Sequence, residues 1–145
     1  MPGDEERPES LRSELERLVG AHEVFGWLDI RLVTAEPGRV VFDVPAQAPF
    51  GTDGTMHGGI VATAVDTAAG FALRTTFEDP FAANLATTDL DVHYIRPARG
   101  ELRIEGEVVR AGERMGFADA EVRRVDADAD GVVATGSASY RLFRE

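Results

Sequence analysis

The sequence predicts a single α+β domain in which an antiparallel β-sheet wraps around a long central helix. Three observations predict it. Residues 57–75, HGGIVATAVDTAAGFALRT, are apolar on nearly every face and free of proline, as expected of a buried helix of about five turns. From residue 87 to residue 142 the hydrophobic pattern alternates with period two through four consecutive runs. The chain has 145 residues, 43% of them hydrophobic, which suits one domain with one core.

In order along the chain, residues 1–7 are charged and carry Pro and Gly, so they are expected to fray. Ser10 to Val19 (SLRSELERLV) spaces Leu11, Leu15 and Leu18 for one face of a short amphipathic helix, with Ser10 placed to cap it. Phe25 to Thr34 reads as a first strand, Pro37-Gly38 as a turn, and Arg39 to Val44 as a second strand of the same hairpin. A Gly-bearing loop, Phe50 to Met56, leads into the apolar helix. The four later strands are expected at Thr87–Ile95, Glu101–Arg110, Gly116–Val125 and Val132–Leu142. Residues 1–24 form an N-terminal segment with a short helix, and 25–145 the domain proper. The turn Asp126–Gly131 (DADADG) has the look of a calcium loop. It lacks the closing Glu and sits between strands, so a solvated hairpin turn is expected.

Composition narrows the function. The formal net charge of -11 argues against nucleic acid and anionic membranes as partners. No run is apolar for the roughly 18 residues of a membrane span. The opening MPGDEERPES has no apolar signal core, so a cytoplasmic location is expected. With no cysteine, disulfides, thiolate catalysis and Cys-based zinc sites are excluded. All 15 basic residues are arginine, which removes lysine Schiff-base chemistry. His22, His57 and His93 lack metal-ligand spacing, and no cofactor fingerprint or Ser nucleophile elbow is present, so neither metal nor cofactor is expected. His93 alternates with Asp89 and Asp91 on what reads as a solvated or interface strand face.

Asp66 is the one ionisable residue between Gly58 and Leu73. Stripping water from a carboxylate is costly unless partners compensate, and an apolar setting makes it a better base or nucleophile. The plainer reading bonds it to Thr63, Thr67 or nearby backbone. His57-Gly58-Gly59 falls at the first turn of the same helix, where N–H groups lack intrahelical partners and the dipole is positive. That is either turn chemistry or the equipment of an oxyanion hole. Gly58 and Asp66 are eight residues apart, about 12 Å along a helix, too far to serve one carbonyl. Two antiparallel copies would bring Gly58 of one to Asp66 of the other, which predicts a homodimer with shared sites.

HGGIVATAVDTAAGFAL, followed by TTDLDVHYIRPARGELRIEGEVVRAGERMGF, resembles the PaaI-like branch of the hotdog acyl-CoA thioesterases from about Phe25 onward. The resemblance implies a hotdog fold and hydrolysis of an acyl-CoA. It implies that the Gly58 amide polarises the thioester carbonyl, that His57 shapes the loop, and that Asp66 acts as nucleophile or general base. Thr87 falls where relatives place a Ser or Thr that positions water. Arg96 and Arg99 fall where relatives meet the CoA nucleotide, with Arg110 and Arg114 weaker candidates that equally suit hairpin ends. A dimer of dimers is a further implication. The sequence departs from the pattern at Gly51, where many relatives carry Asn or Gln; either Asp53 or Thr52 substitutes, or activity is low or the substrate changed. That departure keeps open a non-catalytic acyl-CoA binder. A hotdog hydratase or dehydratase would need a second acid or His paired with Asp66, and none is evident.

Overall fold

The computed structural model describes residues 3–46, 54–80, 84–126 and 131–144, with side chains from Leu11 onward. Gly51, Thr52 and Asp53, and residues 127–130 of the acidic turn, lie outside the described residues, as does the side chain of Ser10.

Three helices and six strands follow in the order α1 (Gly3–Ala21), α2 (Glu23–Leu28), β1 (Arg31–Glu36), β2 (Arg39–Val44), α3 (Gly58–Arg74), β3 (Asn84–Tyr94), β4 (Leu102–Ala111), β5 (Met115–Arg124) and β6 (Val132–Phe143). The strands form one antiparallel sheet in the order β1-β2-β4-β5-β6-β3. The four later strands agree with the period-two reading to within three residues at each end; β4, β5 and β6 alternate buried and more exposed positions over much of their length, whereas β3 alternates in sequence but is largely exposed.

α3 lies across the inner face of this sheet. The sequence explains how close it comes. Gly106 of β4, Gly116 of β5 and Gly136 of β6 all face inward beneath the helix. A Cβ on Gly106 would overlap the carbonyl oxygen of Ala68, and one on Gly136 would press into Val65. Small residues on three neighbouring strands thus form a trough, and Ala68, Ala69 and Ala72 of α3 settle into it fully buried.

Two expectations at the N-terminal end need correction. α1 starts at Gly3, not near Ser10, so residues 3–7 of the segment expected to fray are helical. Leu11, Leu15 and Leu18 are buried in the same core as Phe42 and Val65. The strand expected at Phe25–Thr34 is instead α2 followed by β1. Asp29 adopts φ 52, ψ 40 and ends α2, with Asp29 N–H donating to Gly26 O and Ile30 N–H to Phe25 O. Phe25, expected to open a strand, packs from α2 against Phe71 of α3, ring centres 5.5 Å apart.

The two sheet edges differ. α1 lies against β1, and Arg12 donates to the carbonyls of Leu32 and Val33 at the bulge there. β3, at the other edge, is exposed along most of its 11 residues.

Candidate active site

Asp66 sits midway along α3, half-buried, on the side facing β3 and β6. Its surroundings are not wholly apolar. Thr87 donates its hydroxyl to Oδ1 at 3.0 Å, and Tyr140 donates to the same oxygen at 2.8 Å. The Tyr140 hydroxyl lies equally close, 2.8 Å, to the Asp66 backbone carbonyl. The plainer partners considered from sequence are engaged elsewhere: Thr63 bonds back to Gly59 O and Thr67 to Thr63 O. Burial, foremost, and then the negative Asp66 push the Tyr140 phenol well above its ordinary ionisation range, so it remains a donor.

Beside the carboxylate opens a cavity of about 320 Å³ between α2, α3 and β3. Phe25, Phe71, Leu85 and Gly70 give it apolar walls, with Asp66 and Thr87 as polar features. Arg74, two turns beyond Asp66, also lines it; its guanidinium donates to Pro80 O at 2.9 Å, and burial lowers its pKa.

The N-terminus of α3 is the second polar feature. His57 caps the helix, and its Nδ1 accepts from Gly59 N–H at 2.9 Å, which leaves that nitrogen without a proton. The Gly58 N–H meets no acceptor among the described residues. Tyr94 of β3 donates to Gly58 O at 2.6 Å, holding the first peptide of the helix in place. His57 and Gly58 are exposed.

The arginines fall into two groups. Arg96 donates to Val132 O and Arg99 to the Thr55 hydroxyl, and Met56 N–H reaches Ala98 O. The turn after β3 is therefore bound to the loop that leads into Gly58, and both arginines stand exposed beside it. Arg110 and Arg114 lie at the opposite ends of β4 and β5, so within one chain they do not join that group. Arg114 instead rims a depression of about 410 Å³ with Arg141 and Arg144.

The outer face of the sheet carries another depression, of about 350 Å³, walled by Asp91, Glu105, Glu107, Asp119 and Glu121. It would repel a polyanion and is remote from Asp66. His93 and Asp91 pair there at 3.4 Å, both exposed, as a solvated strand face should be. Among the described residues no His, Asp or Glu cluster could hold a metal, and no helix is long and apolar enough to cross a membrane.

Two residues escaped the sequence reading: Tyr140 and Tyr94. Tyr140 was findable. Along β6 the inward positions run Ala134, Gly136, Ala138, Tyr140, Leu142, so one hydroxyl points into the core and must find an acceptor.

Comparison with known proteins places this geometry. The model of the thioesterase superfamily matches residues 53–129. The Halobacterium salinarum protein named "Putative esterase VNG_1336C" is 37% identical over 90% of this chain and 91% of its own length. The Escherichia coli medium/long-chain acyl-CoA thioesterase YigI is 32% identical over 60% of this chain and 62% of its own. Among solved structures, a thioesterase family protein from Silicibacter pomeroyi superposes with a TM-score of 0.85 at 25% identity, covering 93% of this chain and 99% of that one. The E. coli PaaI protein superposes with a TM-score of 0.81 at 16% identity, over 94% of this chain and 96% of that one, a likeness of fold.

Proposed function

This chain belongs to the thioesterase superfamily and is a thioester hydrolase; on that premise we propose that it cleaves an acyl-CoA to free acid and CoA in a site shared by two protomers. The observation that carries this reading is Asp66: a half-buried carboxylate at an apolar cavity, anchored through one oxygen by two hydroxyls.

The Gly58 amide is the oxyanion donor, and Asp66 supplies the attacking power. Either an Asp66 oxygen attacks the thioester carbon and water then hydrolyses the anhydride, or Asp66 takes a proton from water as that water attacks. In both routes a C–O bond forms, the C–S bond breaks and the CoA thiolate leaves, to be protonated. A positioned base contributes about 10²–10⁴-fold, and one oxyanion donor about 10²–10³-fold. The cavity takes the acyl group. Arg96 and Arg99, beside the Gly58 loop, take the phosphates of the CoA nucleotide.

The layout of β3 supports a shared site. Asp66 is tied to Thr87 near the start of this strand, and Gly58 to Tyr94 at its end. The seven intervening steps span about 23 Å. A two-fold axis through Leu90–Asp91, pairing β3 with its copy, would carry Tyr94 and Gly58 of one protomer to Thr87 and Asp66 of the other. The edge available for that pairing is open, and its inner face leaves Leu90 37% and Tyr94 55% exposed. The same axis would bring Arg110 and Arg114 toward Arg96 and Arg99 of the partner.

The test is thiol release from a panel of acyl-CoAs, from acetyl through arylacetyl to octanoyl, on the purified protein. Turnover of acyls that fill the cavity is expected. Tight binding of acyl-CoA with no thiol released from any would make the protein a binder and overturn the proposal.

A further inference from the structure

The two donors to Asp66 come from adjacent strands. Thr87 of β3 and Tyr140 of β6 are paired in register, both facing inward. Immediately after Thr87 the ladder slips: Thr88 turns its hydroxyl to Ser139, 2.8 Å away, and pairing resumes at Asp89. Such a bulge re-aims a side chain, and here it keeps Thr87 directed at α3. Both hydroxyls then converge on Oδ1, while Oδ2 has no partner among the described residues.

Tyr140 is held by packing: it is 1% exposed, in a core cluster with Leu73, Ala138 and Leu142. Its single O–H proton faces two acceptors, both belonging to Asp66: Oδ1 and the backbone carbonyl. The phenol thus spans the residue from main chain to carboxylate and restrains its side-chain rotation.

We infer that Tyr140 is a positioning residue, which with Thr87 engages Oδ1 of Asp66 and leaves Oδ2 as the oxygen that meets the thioester or takes the proton of water. This inference rests on Asp66 being the reacting carboxylate. It goes beyond that reading by naming the atom and the residue that selects it. An oxygen already accepting two hydrogen bonds is the poorer nucleophile and base, so the free oxygen is the reactive one in either route.

Tyr140→Phe removes one O–H and keeps the ring. Losing a hydrogen bond to a charged group corresponds to about a 10- to 100-fold fall in kcat, with KM for acyl-CoA changed little because the ring that lines the cavity is kept. Thr87→Val should also slow turnover and Thr87→Ser restore it. Because both donors hold one oxygen, the double variant Tyr140→Phe/Thr87→Val should lose less than the product of the single losses. A folded Tyr140→Phe with kcat within about two-fold of wild type, or single losses that simply multiply, would overturn the inference. If Tyr140→Phe does not fold, isotope-edited infrared difference spectra of wild type against Asp66→Asn decide: a carboxylate bonded through one oxygen gives widely split stretches, and equal bonding of both oxygens overturns the assignment. An active Asp66→Asn would instead sink the proposed function itself, so the two failures are distinguishable.

Discussion

The middle and the N-terminus of α3 are finished to different degrees. At Asp66, midway along the helix, the carboxylate is half-buried, tied to two strands and set against an apolar cavity. At the Gly58 end, the helix terminus is exposed, its free N–H faces no acceptor among the described residues, and Tyr94, itself 55% exposed, supplies the one side chain of β3 bonded to it. Each place has a tyrosine hydroxyl, but Tyr140 is sealed in the core and Tyr94 stands in solvent. The acid is completed by folding of a single chain; the donor is left for something else to cover. That asymmetry is what a site divided between protomers requires.

The sharpest way to break this comparison is at the acid. Asp66→Asn should fold and lose at least about 100-fold in turnover. Steady-state thiol release together with a melting curve checks it, and a near-normal rate in the folded variant would remove Asp66 from the chemistry.

The division between chains is tested by complementation. Gly58→Pro deletes the donor at a position that tolerates proline: it is the first residue of α3, and His57 before it is extended at φ -56, ψ 134. Homodimers of Asp66→Asn and of Gly58→Pro should both be nearly dead. A purified heterodimer of the two would contain one site with both defects and one with neither, and should recover about half the wild-type activity per dimer. No recovery in a verified heterodimer would mean that each site lies within one chain.

A smaller effect is expected at the arginines. Arg96→Ala/Arg99→Ala should raise KM for acyl-CoA severalfold, about what is lost with exposed charge-assisted contacts, and leave KM for an acyl-pantetheine nearly unchanged. Equal changes for the two substrates would place these residues away from the nucleotide.

Smallest of all should be the effect of releasing the solvent-facing tyrosine. Tyr94→Phe frees Gly58 O, and a neutral hydrogen bond that water can replace contributes about 0.5–1.5 kcal/mol, so kcat should fall less than in Tyr140→Phe. Stopped assays on both variants compare the two places directly.

Much of this was legible in the amino-acid order. β4, β5, β6 and α3 followed from periodicity because each buries much of its apolar surface, and β3 followed from its alternation although it is largely exposed. Asp66 stood out as a lone charge in an apolar helix, and the eight-residue spacing already set it apart from Gly58 along that helix. α2 was not legible: six residues rich in aromatics carry too few turns to show a helical period, and they are helical because Phe25 packs on Phe71. The identity of the donors to Asp66 depended on register between β3 and β6, and a one-residue bulge at Thr88 decides which hydroxyl faces the helix. No local pattern records such a slip. Gly51, where the resemblance leads one to expect Asn or Gln, lies outside the described residues.

The unequal edges of the sheet have a consequence for the newly made chain. One side is closed by α1 and by Arg12 on the carbonyls of β1; the other presents β3, an 11-residue strand with its outer hydrogen-bonding groups open. An open strand edge pairs with any extended segment it meets. In the proposed dimer β3 pairs with its copy; before that pairing each chain is adhesive along this one side, and encounters with other unfolded chains compete with it. In that arrangement dimer formation is also a matter of quality control: the supply of usable enzyme depends on how quickly each chain hides this edge.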